Sequence, residues 1–356
     1  MASVASQLPV LSLPREDADE NSHRAFAAEL CRTCHDVGFF YLSNHGVEQA
    51  CDNVLDASRA FFALPLAEKK EIDYTRSRAF RGYMYDGAEN TAGKPDRREQ
   101  IEFGVECAET CATEGPYYER LKGPNQWPAQ VPLRAPVEDF QNKMATLSRR
   151  IMTYLAIGLD LDGGYFDSMF GDEPNVQMKI CRYPPSDGSV GEHSDTGILS
   201  FVVQDSVGGL QVQLHDSGEW IDAPPIDGTL VVNLGEMIQL ITGGYFLATP
   251  HRVQNLNGSQ ARYSVPYFWN PELDYRVEFI ESSILDSLVW HRPRPSDDST
   301  VRATGSHGGA NRLISAYGEN AFKSFARSHP VVMRRHHSDL VMNPDGSITS
   351  PSSSIL

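Results

Sequence analysis

Three residue groups in this 356-residue chain could do chemistry together: His193-Ser194-Asp195, then Thr249-Pro250-His251, then Arg262-Tyr263-Ser264. Two imidazoles and one carboxylate are the donor set of a mononuclear Fe(II) centre that keeps coordination positions open. In a strand, residues two apart share a face, so His193 and Asp195 would point the same way. The third ligand must then come from another strand, and His251 is the candidate. Arg262 and Ser264 also share a strand face. A guanidinium holds a carboxylate through two parallel hydrogen bonds, and a hydroxyl completes the cradle. The far carboxylate of 2-oxoglutarate needs such a partner. Tyr183 precedes the metal motif and could add a phenol hydroxyl, while Lys179 is divided between a surface position and the site.

Each short motif is weak alone. His337-Ser338-Asp339 repeats the tripeptide, and Arg294-Pro295-Ser296 repeats the Arg-x-Ser pattern. The signal is the ordered set inside a β-rich region. His337 sits in a basic, polar tail and reads as a solvated surface residue, so its removal should be silent. Cys31-Arg32-Thr33-Cys34-His35 matches a haem-attachment pattern. It lies in a helical stretch whose apolar face includes Phe26, Leu30 and Cys34, and buried thiols are the simpler reading. A zinc site joining Cys31 and Cys34 to Cys107 and Cys111 is disfavoured.

The elements that must position these residues change character along the chain. Residues 16–37, 47–64 and 136–161 show helical apolar spacing, and Phe39-Phe40-Tyr41-Leu42 reads as a strand. Residues 76–128 read as loop. From 176 to 270 short β-rich runs are separated by Gly, Asp and Pro clusters, which suggests an antiparallel sandwich or jelly roll. A final helix is expected over 312–330, and the tail after Ser338 should be mobile. The net charge of −16 argues against nucleic acid or an acidic membrane as a partner. No apolar run is long enough to span a bilayer. Together these features suggest a soluble, cytoplasmic protein with reduced thiols, acting on small molecules as a monomer.

The residues resemble the isopenicillin-N-synthase-like branch of the Fe(II)/2-oxoglutarate-dependent dioxygenases. The resemblance spans Leu8-Pro9-Val10-Leu11-Ser12-Leu13, Gly38-Phe39-Phe40-Tyr41-Leu42 through Val47, Lys179 through Pro185, Gly191 through Gly197, and Val232-Asn233-Leu234-Gly235-Glu236. It implies an α+β fold with a distorted double-stranded β-helix, or jelly roll, flanked by helices. It implies an N-terminal region over 8–130 and a jelly-roll domain over 172–276, while the Ser-, Asp-, Arg- and Pro-rich composition of 282–311 reads as an exposed loop before the helix over 312–330. It also implies iron on His193, Asp195 and His251, and 2-oxoglutarate on Arg262 and Ser264. Oxygen is the second co-substrate and ascorbate a stimulant. The resemblance implies succinate and CO2 as the product pair, released as a small metabolite is hydroxylated, desaturated or cyclised. Related oxidases keep Arg-x-Ser yet use no 2-oxoglutarate, so the alternatives are such an oxidase, a zinc hydrolase on the same triad, or a non-catalytic binding protein. Residues 78–103 and 282–311 should shape the pocket mouth, with Arg81, Tyr83, Glu89 and Phe268 as substrate contacts. The segment from Thr91 to Asp96 is also similar to the ethylene-forming-enzyme subgroup, which would bring Glu89 and Thr91 near substrate; the alternative, which the residues favour, is a surface loop.

Overall fold

The computed structural model describes residues 7–91, 94–108, 115–185, 187–255, 258–291, 316–343 and 347–349. An eight-stranded sheet runs in the order β1 (Val10–Ser12), β2 (Phe39–Ser43), β12 (Thr229–Leu234), β9 (Leu199–Gln204), β14 (Arg262–Asn270), β7 (Asn175–Tyr183), β6 (Glu99–Gly104) and β3 (Gly82–Met84). A four-stranded sheet runs β11 (Trp220–Asp222), β10 (Leu210–Gln213), β13 (His251–Gln254) and β8 (Ser189–His193). Two hairpins, β4–β5 (Asn90–Thr91, Lys94–Pro95) and β15–β16 (Val341–Met342, Ile348–Thr349), complete the strands among the described residues. Strands from the N-terminal region therefore close both ends of the large sheet.

Period-two alternation decides which side chains can meet. On β2, Phe40 and Leu42 join the larger core, while Phe39 and Tyr41 join a smaller one with Val190, Leu210, Val212 and Val253. The smaller core lies between the two sheets. Burial on both faces explains why β2 is apolar at four consecutive positions. On β14, Val265, Tyr267 and Trp269 enter the larger core. The alternate residues, Arg262, Ser264 and Phe268, consequently face the second sheet.

Three long helices pack against the outer face of the large sheet: α1 (Glu20–Asp36), α2 (Glu48–Phe62) and α4 (Arg134–Gly158). The start of α1 is later than residue 16 because Asp19 caps it, accepting from the Ser22 N–H at 2.9 Å. Short helices α3 (Leu66–Lys69), α5 (Asp167–Phe170), α6 (Glu236–Ile241) and α7 (Ser282–Ser287) fill connections, and α8 (Tyr317–Ser328) and α9 (Pro330–His336) follow. No helix among the described residues is long and apolar enough to cross a membrane.

Two regions differ from expectation. Residues 76–128 are not all loop, because every residue of β6 is buried between β3 and β7. Its Glu-Gln-Ile-Glu-Phe-Gly text hides a strand because its polar side chains bury as partners of other charges. The tail after Ser338 is also held. Arg120 donates to both carboxylate oxygens of Asp339 at 2.8 and 2.6 Å, and β15 pairs with β16. Most of the expected 282–311 loop lies outside the described residues, as do Arg294-Pro295-Ser296 and Cys111.

Candidate metal and co-substrate site

His193 ends β8 and His251 opens β13, and the antiparallel register places them directly opposite one another. Their ring centroids are 4.3 Å apart. Asp195 lies two residues beyond the end of β8, not in the strand as the His-x-Asp spacing suggests. The loop that carries it is held by the start of α6. The N–H groups of Gly235, Glu236 and Met237 donate to the carbonyls of Ile198, Asp195 and Gly197 at 3.0, 2.7 and 3.0 Å. These are donors that a helix start cannot satisfy internally. Gly235 is required there, since a Cβ would sit 2.3 Å from the Gly197 carbonyl oxygen.

The donor atoms of His193, Asp195 and His251 all lie within 4.8 Å of one another. Asp195 Oδ1 is 3.9 Å from His193 Nε2 and 3.7 Å from His251 Nε2. The other nitrogen of each ring is engaged. His193 Nδ1 meets the Gly191 carbonyl at 2.9 Å and His251 Nδ1 the Thr249 carbonyl at 3.1 Å. A carbonyl only accepts, so each Nδ1 carries the proton and each Nε2 keeps its lone pair for a metal. Asn233 Nδ2 donates to Asp195 Oδ2 at 2.7 Å, which turns Oδ1 toward the imidazoles. Desolvation and the neighbouring His251 push His193 down to about 4, so it is neutral at physiological pH. Burial opposes ionisation of Asp195, but His251, His193 and hydrogen bonds from Asn233 and Ser200 outweigh it and hold the carboxyl low. Two imidazole nitrogens and one carboxylate oxygen, converging without a hydrogen bond among them, fit a divalent ion of the iron type.

A second acidic-imidazole group, His35, Asp36 and His291, is also close together. It does not suit a metal. His35 Nδ1 donates to the Tyr245 carbonyl at 2.7 Å and Nε2 accepts from the His291 N–H at 3.0 Å. Both ring nitrogens are therefore committed. The adjacent Cys31 and Cys34 are buried free thiols, as the helical reading of that motif holds.

Beside the triad lies a cavity of about 200 Å³. Arg262 and Ser264 line it, with Tyr183 and Phe268. Arg262 is paired in register with Tyr183, whose ring lies 4.9 Å from the guanidinium carbon. The guanidinium donates to Ser264 Oγ at 3.0 Å and to Gln204 Oε1 at 3.2 Å. It is 1 % exposed, its Nε is unpartnered, and it makes no ion pair with a carboxylate among the described residues.

The remaining site residues fall into two sets. Glu89 lines the cavity, as do Thr91 and Lys179. Its carboxylate accepts from Lys179 at 2.9 Å, Arg98 at 2.7 Å and Gln100 at 2.8 Å. Burial opposes its ionisation, yet the two cations hold it well below the usual carboxylate range. Lys179 is thus a buried member of the wall and not a surface ammonium. Arg81 and Tyr83 correct the expectation of substrate contact, because neither lines the cavity. Arg81 is buried, donates to the Leu121 carbonyl at 3.1 Å, and lies so close to Gly104 that a Cβ there would strike the guanidinium. The Tyr83 hydroxyl donates to Glu99 at 2.7 Å. Both face the interior.

His337 is the second correction. It is fully buried, with its ring stacked on Phe80 at 5.3 Å and Nε2 donating to the Arg78 carbonyl at 2.9 Å. The repeated tripeptide is structural, not solvated. Three contributors escape the sequence reading: Asn233, Arg98, and the cavity-facing side of α8. Asn233 has a readable signal, a polar residue inside the apolar run Leu230–Leu234.

Residues 174–271 match the model of the 2OG-Fe(II) oxygenase superfamily, and residues 8–130 match that of the non-haem dioxygenase in morphine synthesis N-terminal region. The chain is 35 % identical over 341 residues to the 2-oxoglutarate-dependent dioxygenase frbJ of Dothideomycetidae sp. (strain 11243), covering 91 % of this chain and 90 % of that protein. It is 33 % identical to the homoarginine-6-hydroxylase 2-ODD-C23 of Glycine max, covering 79 % and 91 %. The crystal structure of a full-length Neurospora crassa protein in complex with alpha-KG superposes with a TM-score of 0.69 at 27 % identity, covering 90 % and 96 %. These likenesses run across both ends of the large sheet and the triad together. The chain belongs to the Fe(II)- and 2-oxoglutarate-dependent oxygenases, and is a dioxygenase with the jelly-roll fold that uses Fe(II), 2-oxoglutarate and oxygen.

Proposed function

We propose that His193, Asp195 and His251 hold the iron, that Arg262 and Ser264 hold the far carboxylate of 2-oxoglutarate, and that Tyr183 flanks it. The prime substrate is a small metabolite of specialised biosynthesis, oxidised at a C–H bond by hydroxylation, desaturation or ring closure. Iron bound at the triad supplies oxygen activation coupled to decarboxylation of 2-oxoglutarate to succinate. The protein's own part is positioning. The two Nδ1–carbonyl bonds fix the imidazole tautomers, and Asn233 fixes the carboxylate. Arg262 fixes one end of the co-substrate so that its other end meets the triad. Phe268 and Leu210 offer apolar wall beside this centre.

The observation that carries the reading is Arg262, a buried guanidinium with neutral neighbours and no carboxylate partner among the described residues. In an oxidase that uses no 2-oxoglutarate, some other anion would have to meet that charge. By its name, the Glycine max relative hydroxylates homoarginine, which supports a small-molecule substrate. The five described cysteines are free thiols, which supports a reducing, cytoplasmic setting, and we take the working unit to be a monomer. The test is metal content and product. Alanine at His193, Asp195 or His251 should abolish binding of one Fe(II) per chain while leaving the fold intact. Turnover without 2-oxoglutarate and without succinate, in the unsubstituted protein, would refute the co-substrate part.

A further inference from the structure

The cavity has a wall that its iron and 2-oxoglutarate functions do not use. Asn320, Ser324, Arg327 and Ser328 of α8 line it, at helical spacings of four, seven and eight, so they form one stripe. The charged groups around Glu89 are already paired with one another. Glu89 is met by Lys179 and Arg98, Asp96 lies 3.2 Å from Arg98, and Glu102 lies 3.6 Å from Lys179. Lys323, on the same helix, meets Asn320 Oδ1 at 3.5 Å. Arg262 faces the co-substrate.

Arg327 differs from all of these. It is half-buried and lines the cavity, yet it makes no hydrogen bond and no ion pair among the described residues. Burial alone sets its pKa below the ordinary arginine value, with no carboxylate raising it. A guanidinium partly withdrawn from water without a counter-charge is a cost to the ligand-free protein. Its five donors suit a planar or tetrahedral oxyanion, and the Ser324 and Ser328 hydroxyls share its wall.

We propose that Arg327 is the anchor for an oxyanion on the prime substrate, so that the substrate class is a small molecule carrying a carboxylate or a phosphate ester. This rests on the reading of the cavity as the active site. The α8 helix is then a recognition element, and Arg327 is a binding residue distinct from the 2-oxoglutarate cradle. The cavity of about 200 Å³ lies below the roughly 300–1,000 Å³ of drug-sized pockets, so the substrate is small.

The experiment uses the full chain loaded with Mn(II) and 2-oxoglutarate under anaerobic conditions. Hexanoate, hexyl phosphate and hexanamide are titrated by calorimetry, with the melting temperature as a second readout. At least one of the two anions should bind about tenfold or more tightly than the amide, and which one does so separates the carboxylate from the phosphate. Arg327→Gln should bring the anion and the amide within about twofold of each other. Arg327→Lys should restore part of the preference, and it also serves if the glutamine variant folds poorly. Neither change should move 2-oxoglutarate affinity by more than about twofold. No preference for either anion, or a preference that survives Arg327→Gln, overturns the proposal. Failure of the co-substrate reading would look different, as absence of 2-oxoglutarate binding in the unsubstituted protein.

Discussion

Arg262→Gln separates the two roles a buried guanidinium can have, structural partner or ligand cradle. In the ligand-free chain Arg262 is 1 % exposed and bonds only the neutral oxygens of Ser264 and Gln204. Its charge is stabilised by the Tyr183 ring face, 4.9 Å from Cζ, and by no anion among the described residues. Removing the charge therefore relieves a desolvation cost while losing two modest hydrogen bonds, and these effects offset. The ligand-free melting temperature should stay within about 3 °C of the parent. The effect on 2-oxoglutarate should be large. Two charge-assisted hydrogen bonds at about 1.5 kcal/mol each give about 3 kcal/mol, or about 150-fold in the dissociation constant. Ser264→Ala removes one neutral hydrogen bond, about 1 kcal/mol and about fivefold. The assay is anaerobic calorimetry of 2-oxoglutarate against Mn(II)-loaded protein, paired with melting of the ligand-free form. A loss under about fivefold for Arg262→Gln, or a fall of more than about 8 °C without ligand, would show that Arg262 is a structural partner.

Three further outcomes are expected. Asn233→Ala should leave the fold intact but weaken Fe(II) affinity about 10- to 100-fold, since it frees Asp195 Oδ2 to rotate; metal titration by a competing chelator reads it, and an unchanged affinity would mean that Asn233 does not orient the carboxylate. His337→Ala should cost about 2–4 kcal/mol from lost ring packing on Phe80 and loss of the hydrogen bond to the Arg78 carbonyl, with Fe(II) and 2-oxoglutarate affinity unchanged; denaturant unfolding measures the first, and a silent substitution would contradict the burial. Acid should destabilise the fold through the same residue and His329, both pushed down to about 4 by burial. The unfolded state binds the protons first, so this stability is present above about 6.5 and is lost as pH falls toward 4, at up to about 1.4 kcal/mol per pH unit per group. His337→Gln should flatten the dependence of melting temperature on pH in that window, and an unaltered slope would refute the linkage.

The sequence is legible where one physical rule governs a residue. The convergence of His193, Asp195 and His251 can be read because their residue types and order suit a metal, and the β-rich period after residue 172 sets His193 and His251 on separate strands. Arg262, Ser264 and Phe268 share a parity, and one face of β14 carries all three into the cavity. Legibility fails where two rules compete. The β6 strand carries Glu99, Gln100 and Glu102, which speak for exposure, but Lys69 and Arg182 come from distant positions to meet Glu99, and Lys179 to meet Glu102. No local pattern reports such a partner. His337 misleads for the same reason, since Phe80 and Phe322 sandwich it from elsewhere in the chain. A polar, Gly-rich loop points Arg81 and Tyr83 toward the pocket, yet Gly104 admits the Arg81 guanidinium into the interior.

The distribution of charge inside the protein follows from this contrast. Buried and partly buried cations of two kinds occur in this fold. Lys69, Lys179, Arg98 and Arg182 are each matched by carboxylates. Such pairs are costly to break and hold a wall in one geometry. Arg262 and Arg327 are buried or half-buried without a carboxylate partner among the described residues, and both border the same cavity. A fold gains nothing in stability from a desolvated charge that it leaves unmatched. The sites where it does so are where an external anion completes the electrostatics. On the proposed reading, the matched set forms the scaffold and the unmatched pair marks where two anions enter, one at the 2-oxoglutarate cradle on β14 and one beneath α8.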